Sequence, residues 1–514
     1  MKAGRFYHRR LPVTSQKMTN KKILLWAALA PIVFLLLSVG AMLVFGGSET
    51  VASYSWASLL LASIVGLGVG FFITRASDRH LRRGLIRSAV QTLPAVPMLF
   101  LIGAVSATWM LSGVVPLLIE AGLQVINPPL FLVITCVVCA FISILTGSSW
   151  TTIATIGVAF IGIGTLLGYH LGWIAGAIIS GAYFGDKVSP LSDTTVIASS
   201  SCGVELFQHI RYMLLTTIPS IVIALIVFGV AGFMTDLTPA HTESAMVKAL
   251  ASTFDLNPWI YVIPAITLIL IALRINTLIT LAVSSLLGLA GVFIFQPHLL
   301  SQIHSLAGQG DIISNVVAAV KMIVTSTTLS TGNPSLDQLV ETGGMAGMLP
   351  TVGLVLSAMT FGGVMMGTGL LNVITSRFTS LLKNRVSTVA ATVGSGLFFN
   401  SATADQYLSL IIGGNIYKNL YQQQGLEGRL LSRTLEDSVS VTSVLIPWNS
   451  CGVAQSSVLG VATLTYLPFC VFNYMSPLMS LLVAITGFKI KQVDKAHKYL
   501  HREDSTPEVA TAVS

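Results

Sequence analysis

The sequence predicts an all-α polytopic membrane protein. About ten transmembrane helices and two opposed re-entrant hairpins are expected, arranged as inverted-topology repeats with discontinuous helices. Three observations predict it. Of 514 residues, 53% are hydrophobic and only 9% are charged, against about 25% in a soluble domain, and the mean hydropathy is +0.81. Apolar runs of about 20 residues recur without the alternation of an outer-membrane barrel. The basic residues gather in clusters between those runs, so the positive-inside rule gives each run a direction.

Residues 1–22 hold Lys2, Arg5, Arg9, Arg10, Lys17, Lys21 and Lys22 and form a basic cytoplasmic N-tail. The run behind it is too long for a signal peptide and has no cleavage signature, so it is an uncleaved first span. The first inverted repeat covers 23–234. Its spans at 23–45 and 55–74 lead to an Arg-rich inner loop with Arg75, Arg79, Arg82, Arg83 and Arg87. A third run, 94–118, goes outward. The next basic residue with side information, Arg211, is again inside, so an odd number of crossings separates the two loops. The Gly- and hydroxyl-rich stretch 145–152 between two short apolar arms therefore reads as the tip of a hairpin, about 128–168. A broken helix follows, about 171–207, interrupted at G-D-K-V-S-P-L-S-D (185–193). Pro190 prevents a continuous hydrogen-bond ladder there, and broken backbone at membrane depth must face protein or a wet cavity.

An external connector, 235–258, leads to the second inverted repeat, 259–488. Spans at 259–274 and 276–296, an outer segment and a span at 351–371 precede a hairpin, about 386–417. Basic residues flank both ends of that hairpin, so it opens to the side opposite the first. A second broken helix, about 434–457, is interrupted at I-P-W-N-S-C-G (446–452), and a last span precedes the cytoplasmic tail 489–514. Both termini are expected on the cytoplasmic side of the inner membrane. The net charge of +8 is thus an orientation signal and not a nucleic-acid footprint. The five cysteines show no metal or disulfide spacing.

Few ionisable residues remain at membrane depth: Asp186, Lys187, Asp193, Asp405, Glu436 and Asp437. A carboxylate at the centre of a span costs about 2.5–3.5 kcal/mol on insertion scales, so acids collected at the breaks point to function. Around Asp186 and Asp193, the hydroxyls of Ser192, Thr194 and Thr195 make an oxygen-rich set without thiolate or histidine. Such ligands suit hard cations, and Na⁺ is expected at Asp186, Asp193, Ser192 and Thr194. Burial disfavours the charged form of a carboxylate, so one group can hold either a proton or Na⁺, and competition for it suffices for antiport. The alternative for Lys187 is an internal ion pair with Asp193 or another acid. Ser148 and Ser149 at the first tip, and Asn400, Ser401, Thr403 and Asp405 at the second, add oxygens suited to Na⁺; Asp405 reads equally as a hairpin cap. Glu436, Asp437 and Asn449 complete the candidate ion- and proton-binding set, with Arg433 a salt-bridge partner for the two acids.

G-A-Y-F-G-D-K-V-S-P-L-S-D-T-T (181–195) resembles the signature of the NhaC family of Na⁺/H⁺ antiporters, within the broader ion-transporter superfamily. T-G-S-S-W-T-T (146–152), N-S-A-T-A-D-Q-Y (400–407), L-E-D-S (435–438) and I-P-W-N-S-C-G (446–452) fit the same pattern, and the resemblance covers about 23–488. Val196 and Ile197 stand where that pattern has Asn-Leu. The resemblance implies alternating-access exchange of cytoplasmic Na⁺ for external H⁺, with Asp186 and Asp193 as ion carriers. It also implies an alternative, Na⁺/H⁺-coupled malate/lactate antiport. Neither nucleophile–base pairs nor a nucleotide-binding loop occur, so the sequence predicts a non-enzyme without cofactor, driven by ion gradients. Its partners are Na⁺, H⁺ and the bilayer, with a homo-oligomer as a further expectation.

Overall fold

The computed structural model describes residues 21–235, 248–299, 312–327, 337, 340–379 and 384–490. The N-tail up to residue 20, residues 236–247 of the connector and the tail from 491 lie outside the described residues. The rest is helical, as a chain surrounded by lipid must be when it satisfies its own backbone groups. Among the described residues, eight helices are long and apolar enough to cross a membrane, and Thr463–Phe469 with Val471–Thr486 forms a further apolar pair bent by 56°. Large apolar side chains turn outward on them, including Trp26, Phe45 and Ile64. Hydroxyls and nearly all the deeply placed charges turn inward. This is an all-α polytopic membrane protein.

Several elements differ from the sequence expectation. The stretch holding Arg79, Arg82, Arg83 and Arg87 is a helix, Asp78–Thr92, because its residues alternate basic and apolar faces at helical spacing. The expected run 94–118 is cut at Gly113, whose φ of 85° ends Ala95–Leu111 and starts Val114–Val125. The second hairpin has longer arms than the apolar runs alone indicated. Phe131–Thr146 and Ser149–Leu166 make the first, and Arg385–Thr403 and Gln406–Gln423 the second. Polar residues at the tips continue the helices, because their side chains bond within the turn and do not compete with the ladder.

The arms of each pair return to the level at which they began. At the open end of the first, Phe131 lies 6.1 Å from the Phe160 ring and 5.4 Å from the Tyr169 ring. At that of the second, Thr392 and Tyr421 share a hydrogen bond of 3.0 Å, and Thr388 donates to Gln424. The halves also pack reciprocally. The helix Lys21–Val69, which holds the first two spans across a kink at Gly47, lies on Leu349–Gly367, while Thr277–Phe295 lies on Ala95–Leu111. Asp193–Cys202 packs on Gln406–Gln423, and Ser450–Leu459 packs on the π-helical Ile153–Gly157. Each half therefore seats its broken helix against the hairpin of the other.

Candidate ion-binding site

The first break is narrower than 185–193. The helix Leu171–Val188 runs through Asp186 and Lys187, and a new helix starts at Asp193. Only Ser189–Ser192 is non-helical, because Pro190 has no N–H for a ladder. The carbonyls freed there are taken by side chains: Thr195 Oγ1 donates to the Lys187 carbonyl at 3.1 Å. Ser189 Oγ donates to the Ile144 carbonyl at 2.8 Å, which ties the break to the first hairpin.

The tip of that hairpin meets the break. Gly147 has φ 67°, and a Cβ on it would stand 2.6 Å from Leu191 Cβ, so only glycine fits both the left-handed turn and the contact. Ser148 caps the returning arm by accepting from the Thr151 N–H at 3.2 Å. Ser149 Oγ donates to Asp186 Oδ2 at 2.8 Å. We expect Gly147→Ala to lower the transport rate about tenfold or more, on the order of 1–3 kcal/mol of turn strain plus overlap. Proteoliposome flux measures it, with Gly394→Ala, where a Cβ meets only Phe378 at 3.6 Å, as the control.

The second tip approaches the same place. Asp405 caps Gln406–Gln423 by accepting from the Leu408 N–H at 2.8 Å. Its other oxygen accepts from Ser450 Oγ at 3.4 Å, and Ser450 N–H donates to the Ala404 carbonyl at 2.9 Å. The second break is therefore stitched to the second tip. Asn449 Nδ2 and Trp448 Nε1 complete the seam by donating to the carbonyls of Asn400 and Ser401 at 3.1 and 2.9 Å. Asp405→Ala should cost about 1 kcal/mol of stability for the lost cap, while Asp405→Asn keeps the cap acceptor and removes the charge. Thermal unfolding of the two variants in detergent separates the roles.

A cavity of about 400 Å³ lies between the tips and the first break. Asp186, Asp193 and Asp405 line it with Thr146, Ser148, Ser192, Thr194 and Ser450. Asp186 is 8% exposed and Asp405 4%, while Asp193 projects into open space. Ser192 and Thr194 share a hydrogen bond of 2.9 Å. No lysine or arginine lines the cavity. Among the described residues no three acids, histidines or cysteines stand close enough to hold one metal ion. Gln406 and Tyr407 also line the cavity. Reading the acids alone passed them over, although both lie inside the 400–407 motif.

The remaining candidates lie elsewhere. Asp437 is fully buried in an ion pair with Lys187. Hydroxyls of Ser476, Ser480 and Thr216 donate to it at 2.8, 2.7 and 3.2 Å, and Ser476 also accepts from Lys187 Nζ at 2.7 Å. The partner of Lys187 is thus Asp437 and not Asp193. Arg433, completely buried over the Tyr212 ring, has its Nε 3.9 Å from Asp437. The Arg433 pairing expected for the two acids therefore holds for Asp437 alone. Glu436, one residue away on the π-helical turn Glu436–Ser440, is fully buried and accepts no hydrogen bond among the described residues. That turn packs against Asp193–Cys202 behind Thr194. Asn400 donates to the Val439 carbonyl at 2.7 Å, Thr403 bonds within its own tip, Ser401 donates to the Leu397 carbonyl, and Thr195 holds the first break. These four, with Asn449, shape the site from behind the wall.

Known proteins resemble this chain over its whole membrane part. A family model described as Na⁺/H⁺ antiporter family matches residues 10–196 and 181–488. The Na(+)/H(+) antiporter NhaC of Alkalihalophilus pseudofirmus is 36% identical over 443 residues, 86% of this chain and 91% of that protein. A Malate-2H(+)/Na(+)-lactate antiporter of Bacillus subtilis is 32% identical over 432 residues, 84% of this chain and 88% of its own length. The Arginine/ornithine antiporter ArcD of Halobacterium salinarum is 32% identical over 473 residues, 91% and 93% of the two chains. A protein whose two hairpin tips and two helix breaks meet, and whose sequence matches that family model from residue 10 to residue 488, belongs to the Na⁺/H⁺ antiporter family.

Proposed function

We propose that this chain exchanges cytoplasmic Na⁺ for external H⁺ by competition of the two ions for Asp186 and its neighbours. The observation that carries the reading is the cavity itself: three aspartates, several hydroxyls and no basic side chain. A malate or lactate anion would meet only like charge there, whereas a cation meets a complementary field. This favours simple cation exchange over the organic-acid coupling named for the Bacillus subtilis relative. Na⁺ enters at Asp186, Ser192 and Thr194, with Asp193 drawing it in from the open end, and Asp405 closes the opposite wall. Glu436, buried behind Thr194 and one residue from Asp437 of the Lys187–Asp437 pair, relays the proton to and from Asp186.

The wall of the cavity continues to Thr92, Pro94 and Met98 and to Asn276–Leu278. These residues follow the Arg-rich helix and Arg274, which the positive-inside rule assigns to the cytoplasm. The cavity then opens inward, in an inner membrane with both termini cytoplasmic. Reciprocal packing of the halves supports inverted repeats at 23–234 and 259–488, which rock against each other to expose the site alternately. The five native cysteines are all buried, so a single cysteine replacing Thr277 can be labelled cleanly. A membrane-impermeant maleimide is expected to reach it in inside-out vesicles and not in right-side-out ones.

Proteoliposomes test the exchange itself. A Na⁺ gradient is imposed, internal pH is followed, and malate or lactate is then added. A pH change with Na⁺ alone is expected; a response only after an organic acid overturns the reading. Glu436→Gln should keep Na⁺ binding within about threefold of wild type but lose coupled proton movement. Isotope binding and flux read the two separately, and unchanged coupling would remove Glu436 from the proton path.

A further inference from the structure

On the Arg-rich side, away from the ion cavity, a second cavity of about 650 Å³ lies between the Asp78–Thr92 helix and the turn after Leu349–Gly367. Arg75, His80, Arg83 and Arg87 line it, together with the Gly367–Gly369 turn. None of these arginines is in an ion pair with a carboxylate among the described residues. The walls are fixed. A Cβ on Gly84 would stand 2.6 Å from the Gly363 carbonyl oxygen, so the helix lies directly on the backbone beneath it. Thr74 Oγ1 ties the other wall to the Thr368 carbonyl at 2.9 Å. Orienting a membrane protein requires only that basic residues lie on one side. Here the helix holds them in a row along an open cleft.

The same helix carries an apolar stripe beside the cavity. Ile86, Val90 and Leu93 are 59%, 67% and 46% exposed, and Phe72 just before the helix is 87% exposed. An amphipathic helix with basic residues beside exposed apolar ones lies at the headgroup level, with its apolar face toward the acyl chains. Guanidinium groups pair with phosphate oxygens through paired N–H donors. Basic pockets between helices on the cytoplasmic side suit anionic headgroups. We propose that this cavity binds the phosphate of an anionic phospholipid, with Arg83 and Arg87 as its principal ligands and the acyl chains along Ile86, Val90 and Leu93.

The test uses purified full-length protein in detergent, titrated with phosphatidylglycerol, phosphatidylcholine or inorganic phosphate. Bound lipid is counted by native mass spectrometry, and the thermal unfolding midpoint is followed. Wild type is compared with Arg83→Gln/Arg87→Gln and with Arg79→Gln/Arg82→Gln, whose arginines are exposed on the same helix outside the cavity. At about 1 kcal/mol per arginine, the first double variant should bind phosphatidylglycerol about 30-fold more weakly. The second should change it by less than about threefold. Equal weakening in both variants would show diffuse attraction and overturn the site. So would equal stabilisation by phosphatidylcholine, or displacement of phosphatidylglycerol by inorganic phosphate, which would mark a free-anion site. If the first variant does not fold, the wild-type comparison of the two lipids and phosphate decides alone.

Discussion

Asp186→Asn is expected to abolish Na⁺-driven proton movement while the protein still inserts and remains monodisperse. Asparagine keeps the shape and still accepts the 2.8 Å hydrogen bond from Ser149, so the tip of the first hairpin stays seated. What disappears is the one deeply buried carboxylate that the first break presents to the cavity. Loss of a desolvated charged partner costs about 2–5 kcal/mol, which is about a hundredfold or more in ion affinity. The variant also lacks the titratable group for which the two ions compete, so raising Na⁺ cannot restore proton coupling. Proteoliposome flux over a wide Na⁺ range checks this; recovery of proton movement at high Na⁺ would assign the proton to another acid. Asp193→Asn, at an exposed position, should instead raise the Na⁺ concentration needed for half-maximal rate and leave the maximal rate nearly intact.

Asp437→Asn should produce the largest loss of stability of any single change at these breaks. It leaves Lys187 charged, 1% exposed and without its counter-ion, with Arg433 buried alongside. Breaking a buried pair by removing one partner costs about 3–5 kcal/mol. Ser476 and Ser480 would also lose their acceptor. Lys187→Met/Asp437→Asn removes both charges of the pair and should be less destabilised than the sum of Lys187→Met and Asp437→Asn alone, because Lys187 is no longer left charged without its counter-ion, although Arg433 still loses the carboxylate 3.9 Å from its Nε. Thermal unfolding of the four proteins in one detergent measures the coupling. Additive losses would mean that the two side chains do not act as a pair.

How much was legible before the structure follows from what each signal measures. Apolar runs report contact with lipid, and they located the spans within a few residues, as for 55–74 against Ser53–Thr74. Polar interruptions reported the breaks, but with limits drawn too wide. Gly185–Val188 and Phe398–Thr403 are helical because a helix tolerates polar side chains that find partners across the interior. The Arg-rich stretch passed for a loop, since a charged helix lying at the interface has no apolar run to betray it. Asp186, Asp193 and Asp405 were recognisable as acids at breaks, and they line the cavity. Asp437 looked the same in sequence and does something else. Only the position of Lys187 on a different helix separates Asp437, an ion-pair partner, from the acids that line the cavity.

The sequence by itself determined that the chain lives in a bilayer, where its broken segments fall and which few charges lie at membrane depth. These are consequences of composition and spacing, since lipid admits neither unpaired backbone nor scattered charge. The tertiary structure decided which of those charges face one another. Residues 186 and 405 border one cavity, and 187 and 437 form one ion pair, across separations in the chain that no local pattern encodes. Neighbouring positions on a helix point in different directions. Asp186 and Lys187 therefore take opposite positions, one lining the cavity and one pairing with Asp437 behind it.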